Sequence, residues 1–356
     1  MNPHLIVRLA KTLEARDGCS GEAARKSGIH PKAMTAITRT SDIPPEGFPD
    51  EAREYVACPL CQGTSSSLLM HGCDRLFGRP GQYRIVRCDA CGMKYVNPRP
   101  TFEALGPHYP SDYLPVRVPD TMSPLGQALT RILYHVRWRG YLRKVERVLG
   151  RISATTNVVD VGCGTNGWLS LLAHVRGVDG LGVDFNPDVV TYILGRLKMR
   201  ASQGTLMDAK LEADSYDLVT MSEYLEHEPE PFAVLREARR ISKKGAHLVI
   251  EVPFTSGLPA RSFGTYWSQL DVPRHLCFYT PETLGRMLER NGYRLTYVKP
   301  FGAPFSIGIS VLQSLGLKRL GRMGPFEALM LSAMGIALAP VAPWLYEFMF
   351  AVARAD

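Results

Sequence analysis

The chain has 356 residues, of which 45% are hydrophobic and 21% charged, and it carries a formal net charge of +8. That balance excludes a disordered protein and suits one sizeable α/β domain with one or two smaller units. The positive charge calls for a negatively charged partner, whether nucleic acid, phosphorylated metabolite or anionic membrane, and selects none of them by itself.

The first fifty residues carry the least information. Leu5, Ile6, Val7, Leu9 and Leu13 fit one face of a short helix, while Arg8 and Lys11 interrupt any signal-peptide core. A helix-turn-helix over Gly21–Met34 is a weaker reading than surface helix followed by loop. Ile43-Pro-Pro-Glu-Gly-Phe-Pro49 has linker composition, so residues 1–54 form a helical and linker extension.

Next come two cysteine pairs, Cys58-Pro-Leu-Cys61 and Cys88-Asp-Ala-Cys91. Each pair offers two thiolates from one tight turn, and two such turns complete a tetrahedral four-sulfur shell for Zn2+. Two disulfides, or four unrelated thiols, are the competing readings, and a disulfide framework is less suited to a chain of this length with eight cysteines. A filled four-thiolate shell leaves no open position, so the metal is structural. Cys19, Cys73, Cys163 and Cys277 are scattered and read as ordinary small residues, with His71 and Cys73, between the pairs, as the substitute ligands. Residues 55–124 are thus a zinc-ribbon-like module and a connector, the connector beginning at Lys94-Tyr-Val-Asn-Pro-Arg-Pro100 with little regular structure.

From Leu125 the pattern turns helical, with Leu129, Ile132, Leu133, Val136, Leu142, Val145 and Leu149 as its apolar face. Arg131, Arg137, Arg139, Arg143, Lys144, Arg147 and Arg151 crowd the polar side, as a solvated face or a contact for phosphate or an anionic surface.

Asn157-Val-Val-Asp-Val-Gly-Cys-Gly-Thr-Asn-Gly167 then reads as a buried strand running into a glycine turn, with a helix after it. Gly162 and Gly164 let backbone approach a ligand closely. The run also fits the dinucleotide pattern G-x-G-x-x-G. Asp160, two residues before the first glycine, would repel a pyrophosphate and attract a cationic amino-acid portion. The next strand, Gly180-Leu-Gly-Val-Asp184, ends in an acid suited to ribose hydroxyls, and Asn186-Pro187 supply helix-start signals. Asp208 follows a short apolar segment. Tyr216–Ser222 is strand four, whose last residue Ser222 joins the cofactor-binding set, and His247–Pro253 is strand five, after a helix stop at Lys244-Gly245. Alternating strands and helices predict a doubly wound, mostly parallel sheet with its ligand site at the strands' C-terminal ends.

The ordered set Asp160-Val-Gly-Cys-Gly-Thr, Gly182-Val-Asp184, Tyr216-Asp-Leu-Val and Leu225-Glu-His227 resembles the class I S-adenosylmethionine-dependent methyltransferases. The likeness extends to a subgroup with a cysteine-pair module, an Asn-Pro-Arg-Pro segment and a late Pro-Arg-His-Leu-Cys-Phe-Tyr-Thr-Pro segment, covering about residues 55–300. It implies a seven-stranded sheet whose last strand is antiparallel, S-adenosylmethionine as methyl donor, and a core over 125–300. In that likeness Asp160 to Gly164 hold the methionine moiety, Asp184 the ribose and Asp208 the adenine. Asn166 stands where the family commonly has a third glycine, and it tolerates left-handed backbone.

His227 and His275 are the candidate bases, each weighed against a loop hydrogen-bonding role. Arg274 would bind an acidic substrate group or pair with Asp271. Thr280-Pro-Glu starts a helix stopping at Asn291-Gly292, and Tyr293–Val298 is the late strand. Residues 301–356 read as an apolar helical tail. Its nineteen-residue interval between Glu327 and Glu347 has no charge but is interrupted by Pro340 and Pro343, so it is a membrane-surface hairpin or a covering subdomain.

The expectation is therefore a methyltransferase acting at oxygen on a small-molecule, sugar or lipid-linked, envelope-associated acceptor. RNA methylation, sugar C-methylation and a non-catalytic zinc scaffold are the alternatives, with nucleic acid disfavoured because aromatic and basic residues do not interleave. Expected placement is cytoplasmic, with peripheral attachment at the membrane face through the tail.

Overall fold

The structure, a computed structural model, describes residues 52–79, 81–109, 124–165, 167–302, 304–316 and 345–356. In chain order the elements begin with β1 (Arg53–Glu54), β2 (Ser66–Gly72), β3 (Tyr83–Cys88), β4 (Lys94–Val96), β5 (Arg99–Pro100) and α1 (Phe102–Leu105). Then come α2 (Pro124–Leu149), β6 (Val158–Val161), α3 (Gly167–Arg176), β7 (Leu181–Asp184), α4 (Pro187–Tyr192), β8 (Arg200–Gln203), β9 (Tyr216–Ser222), α5 (Pro231–Ile241) and β10 (Ser242–Pro253). The last are α6 (Leu258–Phe263), β11 (Cys277–Phe278), α7 (Pro281–Glu289), β12 (Tyr293–Phe301), α8 (Pro304–Ser314) and β13 (Phe348–Ala355). The chain divides into two compact units: Met1–Tyr109 with Pro253–Thr283 and Phe301–Glu347, and Pro110–Val252 with Leu284–Pro300 and Phe348–Asp356.

The second unit is built on a seven-stranded sheet ordered β12-β13-β10-β9-β6-β7-β8. β10, β9, β6, β7 and β8 pair in parallel, and the apolar runs of β6 and β7 are buried along their whole length, as strands covered on both faces must be. Chain order reverses beside β6, the crevice where open α/β sheets take ligands. Asn186 caps α4 as its sequence predicts, its side chain accepting from the Asp188 and Val189 amides at 2.9 and 3.4 Å.

Several readings change here. Residues 301–356 are not one helical tail: α8 is helical, but Phe348–Ala355 is a strand of this sheet. Its neighbours run the opposite way, since Gly245 lies against Arg354, Thr296 Oγ1 donates to the Val352 carbonyl, and the Asp356 amide to Gly292. The antiparallel strand is therefore β13, inserted between β10 and β12, and Tyr293–Phe301 is the edge. Six of the eight β13 residues are consecutively buried before Arg354, a run too apolar to show strand alternation, which is why it read as more of the tail. Gly245, read as a helix stop, lies inside β10 with φ +78°, at an interruption of its pairing with β9.

A further correction concerns α2. Tyr141, Leu142 and Val145 are buried, whereas Ile132 and Val136, assigned to the core face, are 61% and 65% exposed. Apolar residues occupy both sides of this helix, and periodicity alone could not say which side packs.

The first unit holds a four-stranded sheet ordered β11-β4-β3-β2 and the two-stranded pair β1–β5. The segment read as an irregular connector supplies β4 and β5, with Asn97 between them. Asn97 accepts from the Val56 amide at 3.0 Å and donates to its carbonyl at 3.2 Å, imitating a backbone bridge. Tyr83, Ile85 and Val96 share one core with Trp267, Leu270, Val272 and Phe278. The cysteine module therefore shares its apolar core with residues of the segment Trp267–Phe278, far away in sequence. Among the described residues no helix is long and apolar enough to cross a membrane. The predicted N-terminal helix and most of the uncharged interval lie outside the described residues.

Candidate functional site

In the second unit the glycine turn follows β6 directly. Gly162 has φ +67°, and a Cβ there would stand 2.4 Å from the Tyr224 ring, so only glycine fits. The Gly164 amide donates to Asp184 Oδ2 and the Asn186 amide to Asp184 Oδ1, both at 2.9 Å, tying the turn to the end of β7. Asp208 stands beside them through Gly204, whose amide donates to the Asp184 carbonyl and whose Cβ position lies 2.9 Å from Asp208. The Asp208 carboxylate accepts from the Thr205 amide and hydroxyl, 2.9 and 2.7 Å, so it also fixes its own turn. Asp160, Gly162, Gly164, Asp184 and Asp208 are thus drawn together at the C-terminal ends of β6, β7 and β8, while Asn166 lies outside the described residues.

Asp160 is 4% exposed, and its Oδ1 accepts from the Thr220 hydroxyl at 2.6 Å. Burial, opposed by that hydrogen bond and reinforced by the negative charge of Asp184, pushes its carboxyl up to about 7. Burial raises Asp184 as well, although two backbone amides work against it. Two poorly solvated acids beside a glycine turn have the chemistry to suit a cation.

Ser222 closes β9 and donates to Glu251 Oε2 at 2.9 Å across the β9–β10 register. Glu251 is buried and also takes Lys144 Nζ, while Arg137 bonds Glu223 Oε1 at 2.6 Å. Sequence reasoning missed this network. Its only signal was spacing: Arg137 and Lys144 are seven apart on one helix face, about a quarter turn or more from Arg139, Arg143 and Arg147.

Beside them Trp138 and Tyr141 of α2 meet Trp168 of α3, with centroids 4.7 to 6.2 Å apart. Trp138 Nε1 sits 2.3 Å from the Cβ position of Gly167, at the foot of the glycine turn. Trp138 Nε1, Trp168 Nε1 and the Tyr141 hydroxyl are buried without a hydrogen-bond partner. Three unspent donors beside two cations suit a carboxylate; with the acids across the turn they suit a zwitterion. His227 ends a single turn, Leu225–His227, just past β9, and is half-buried.

In the first unit the two cysteine turns repeat one hydrogen-bond pattern. The Gln62 amide donates to the Cys58 carbonyl and Gly92 to Cys88, both at 2.9 Å; the Cys58 amide donates to Gly63 and Cys88 to Met93. Gln62 and Gly92 take the left-handed backbone, φ 63° and 77°, that closes each turn. All four sulfurs lie within 4.8 Å of one another, Cys58 to Cys91 at 3.4 Å and Cys61 to Cys88 at 3.5 Å. All four are free thiols, and sulfur edges near about 3.8 Å are what a tetrahedron with about 2.3 Å bonds requires. The donor set fits zinc, and neither His71 nor Cys73 belongs to it.

His275 is buried and its Nδ1 lies 2.9 Å from the Gln269 carbonyl. Burial, opposed by that hydrogen bond and reinforced by the Arg274 charge, lowers it to about 4, leaving a neutral ring at pH 7. Arg274 is fully buried between Asp74 and Asp271, so of its two anticipated roles the structure gives it pairing with acids of its own unit.

Residues 133–298 match the family model described as a methyltransferase domain. A demethylmenaquinone methyltransferase of Listeria welshimeri is 33% identical over 124 residues, covering 32% of this chain and 50% of that protein. One from Bacillus cereus is 26% identical over 216 residues, covering 52% of this chain and 85% of its own length. The chain thus spans about half the length of the first of these relatives. A SAM dependent methyltransferase from Archaeoglobus fulgidus superposes with a TM-score of 0.43 at 21% identity, over 63% of this chain and 94% of that one.

Proposed function

We propose, from the match of residues 133–298 to a methyltransferase-domain family model, that this chain uses S-adenosylmethionine to methylate a small-molecule, lipid-linked acceptor at oxygen. The observation that carries the cofactor reading is the pairing of buried acids with unspent donors around one glycine turn. Asp160 suits the cationic end of the methionine portion, Asp184 and Asp208 the ribose and adenine. Trp138, Tyr141 and Trp168 suit the carboxylate. Bound there, S-adenosylmethionine would supply an electrophilic methyl carbon with a neutral thioether as the leaving group. The chain's task is to align the acceptor and take its proton, and alignment alone can contribute about 7–11 kcal/mol. His227 is the base we favour, because His275, at about 4, holds a proton too weakly to accept one well at neutral pH. The names of the curated relatives support a lipid-type acceptor. Zinc on Cys58, Cys61, Cys88 and Cys91 is proposed as purely structural.

Calorimetry with S-adenosylmethionine tests the reading, and no binding to folded protein sinks it. Its pH dependence is specific. A cation favours ionised Asp160, so affinity should climb as pH rises through about 7 and fall by up to about tenfold per unit below it. Asp160→Asn should bind more weakly at pH 8 and lose that slope; an unchanged slope would remove Asp160 from the site.

Tyr141→Phe deletes only the unspent hydroxyl. It should weaken S-adenosylmethionine binding about tenfold and leave decarboxylated S-adenosylmethionine unaffected. Equal losses for both ligands would show that Tyr141 acts on packing, not on the carboxylate.

A further inference from the structure

The outward face of α2 is left unexplained by methyl transfer. At 100° per residue, Leu125, Ala128, Ile132, Val136, Arg139, Arg143 and Arg147 all fall within about one third of the helix circumference. All seven are exposed, opposite the buried Tyr141 and Val145. Along this stripe the chemistry changes once. Leu125, Ile132 and Val136, each more than 60% exposed, occupy the N-terminal half; the three arginines occupy the C-terminal half. Arg139, Arg143 and Arg147 are in no ion pair among the described residues, whereas Arg137 and Lys144, on the flank of the helix, are paired with Glu223 and Glu251.

We propose that this stripe is a docking surface for an anionic lipid bilayer, its aliphatic half entering the headgroup boundary and its arginines meeting lipid phosphates. The aliphatic half spans about 17 Å of helix, enough to reach about 5–10 Å into the interface at an inclination. Charge complementarity selects this occupant. A second copy docked in parallel would stack arginine on arginine, and docked antiparallel would bury arginines against leucine and isoleucine. Single-stranded nucleic acid wants exposed aromatic rings, and the exposed large residues here are aliphatic. The proposal is independent of the methyl-transfer reading.

Flotation of the full chain with phosphatidylcholine vesicles, with and without phosphatidylglycerol, tests it. Binding should require phosphatidylglycerol and weaken with salt. Arg139→Gln with Arg143→Gln should lower affinity about 30-fold, and Ile132→Asp with Val136→Asp should abolish flotation. Cofactor affinity and melting temperature should stay at the wild-type values in both. Equal binding to neutral vesicles, no binding, or wild-type flotation of both variants would overturn the proposal, the last locating attachment elsewhere in the chain. If the aspartate variant fails to fold, the glutamine variant decides alone.

Discussion

Stripping zinc from the purified protein is expected to lower its melting temperature by well over 10 °C and to release one equivalent of metal. Structural zinc sites contribute on the order of 10 kcal/mol to folding. Here the local reason is crowding. Four sulfurs within 4.8 Å are held by two turns that each spend a left-handed residue on closure. Without a cation the thiols gain nothing from proximity: burial pushes Cys58 far up, and raises Cys91 to about 11, against hydrogen bonds from neighbouring amides. The shared core around Tyr83, Ile85 and Trp267 persists, so the expected product of chelation is a first unit with loosened turns, not a fully unfolded chain. Cys61→Ser should bind zinc weakly and melt early, while Cys277→Ser, outside the cluster, should keep full metal content. A protein that purifies without metal and with two disulfides among these residues would reverse the reading.

Much of this was legible because the signals were local. Strands β6, β7 and β9 follow from short apolar runs, the glycine turn from Gly162 and Gly164, and the cysteine turns from spacing. What could not be read depends on contacts distant in sequence. β13 looks like continued tail because its membership in the sheet is decided by pairing partners at 242–253 and 293–301. The apolar face of α2 could not be oriented, because Tyr141 and Trp138 face inward only once Trp168 is there to meet them. Glu251 and Lys144 lie 107 residues apart and announce nothing separately. β11 has two residues, below any periodicity signal, yet it completes the sheet of the cysteine module.

Arg274→Met is expected to cost about 3–5 kcal/mol, among the largest losses available to a single substitution in the described residues. The guanidinium is fully buried and every arm is engaged. Nη1 and Nη2 reach Asp74 at 3.0 and 2.8 Å, Nε and Nη2 reach Asp271 at 3.0 and 2.6 Å, and Nη1 also donates to the His108 carbonyl at 3.2 Å. Methionine fills much of the volume but leaves two buried carboxylates without their cation. The second change in the cycle, Asp74→Asn, removes one of those charges, so the double variant should recover more than about 1 kcal/mol of the summed single losses. Additive losses would show that the pair is not coupled. Acid should act on the same cluster. Burial alone would raise Asp74, but the neighbouring His108 ring, the hydrogen bonds from Arg274 and the Arg274 charge hold its carboxyl well below the usual range. A depressed carboxyl stabilises the fold above its unfolded value of about 4, and that contribution fades as pH falls below it. Wild-type melting temperature should therefore decline steeply under pH 4, and Asp74→Asn should flatten the decline.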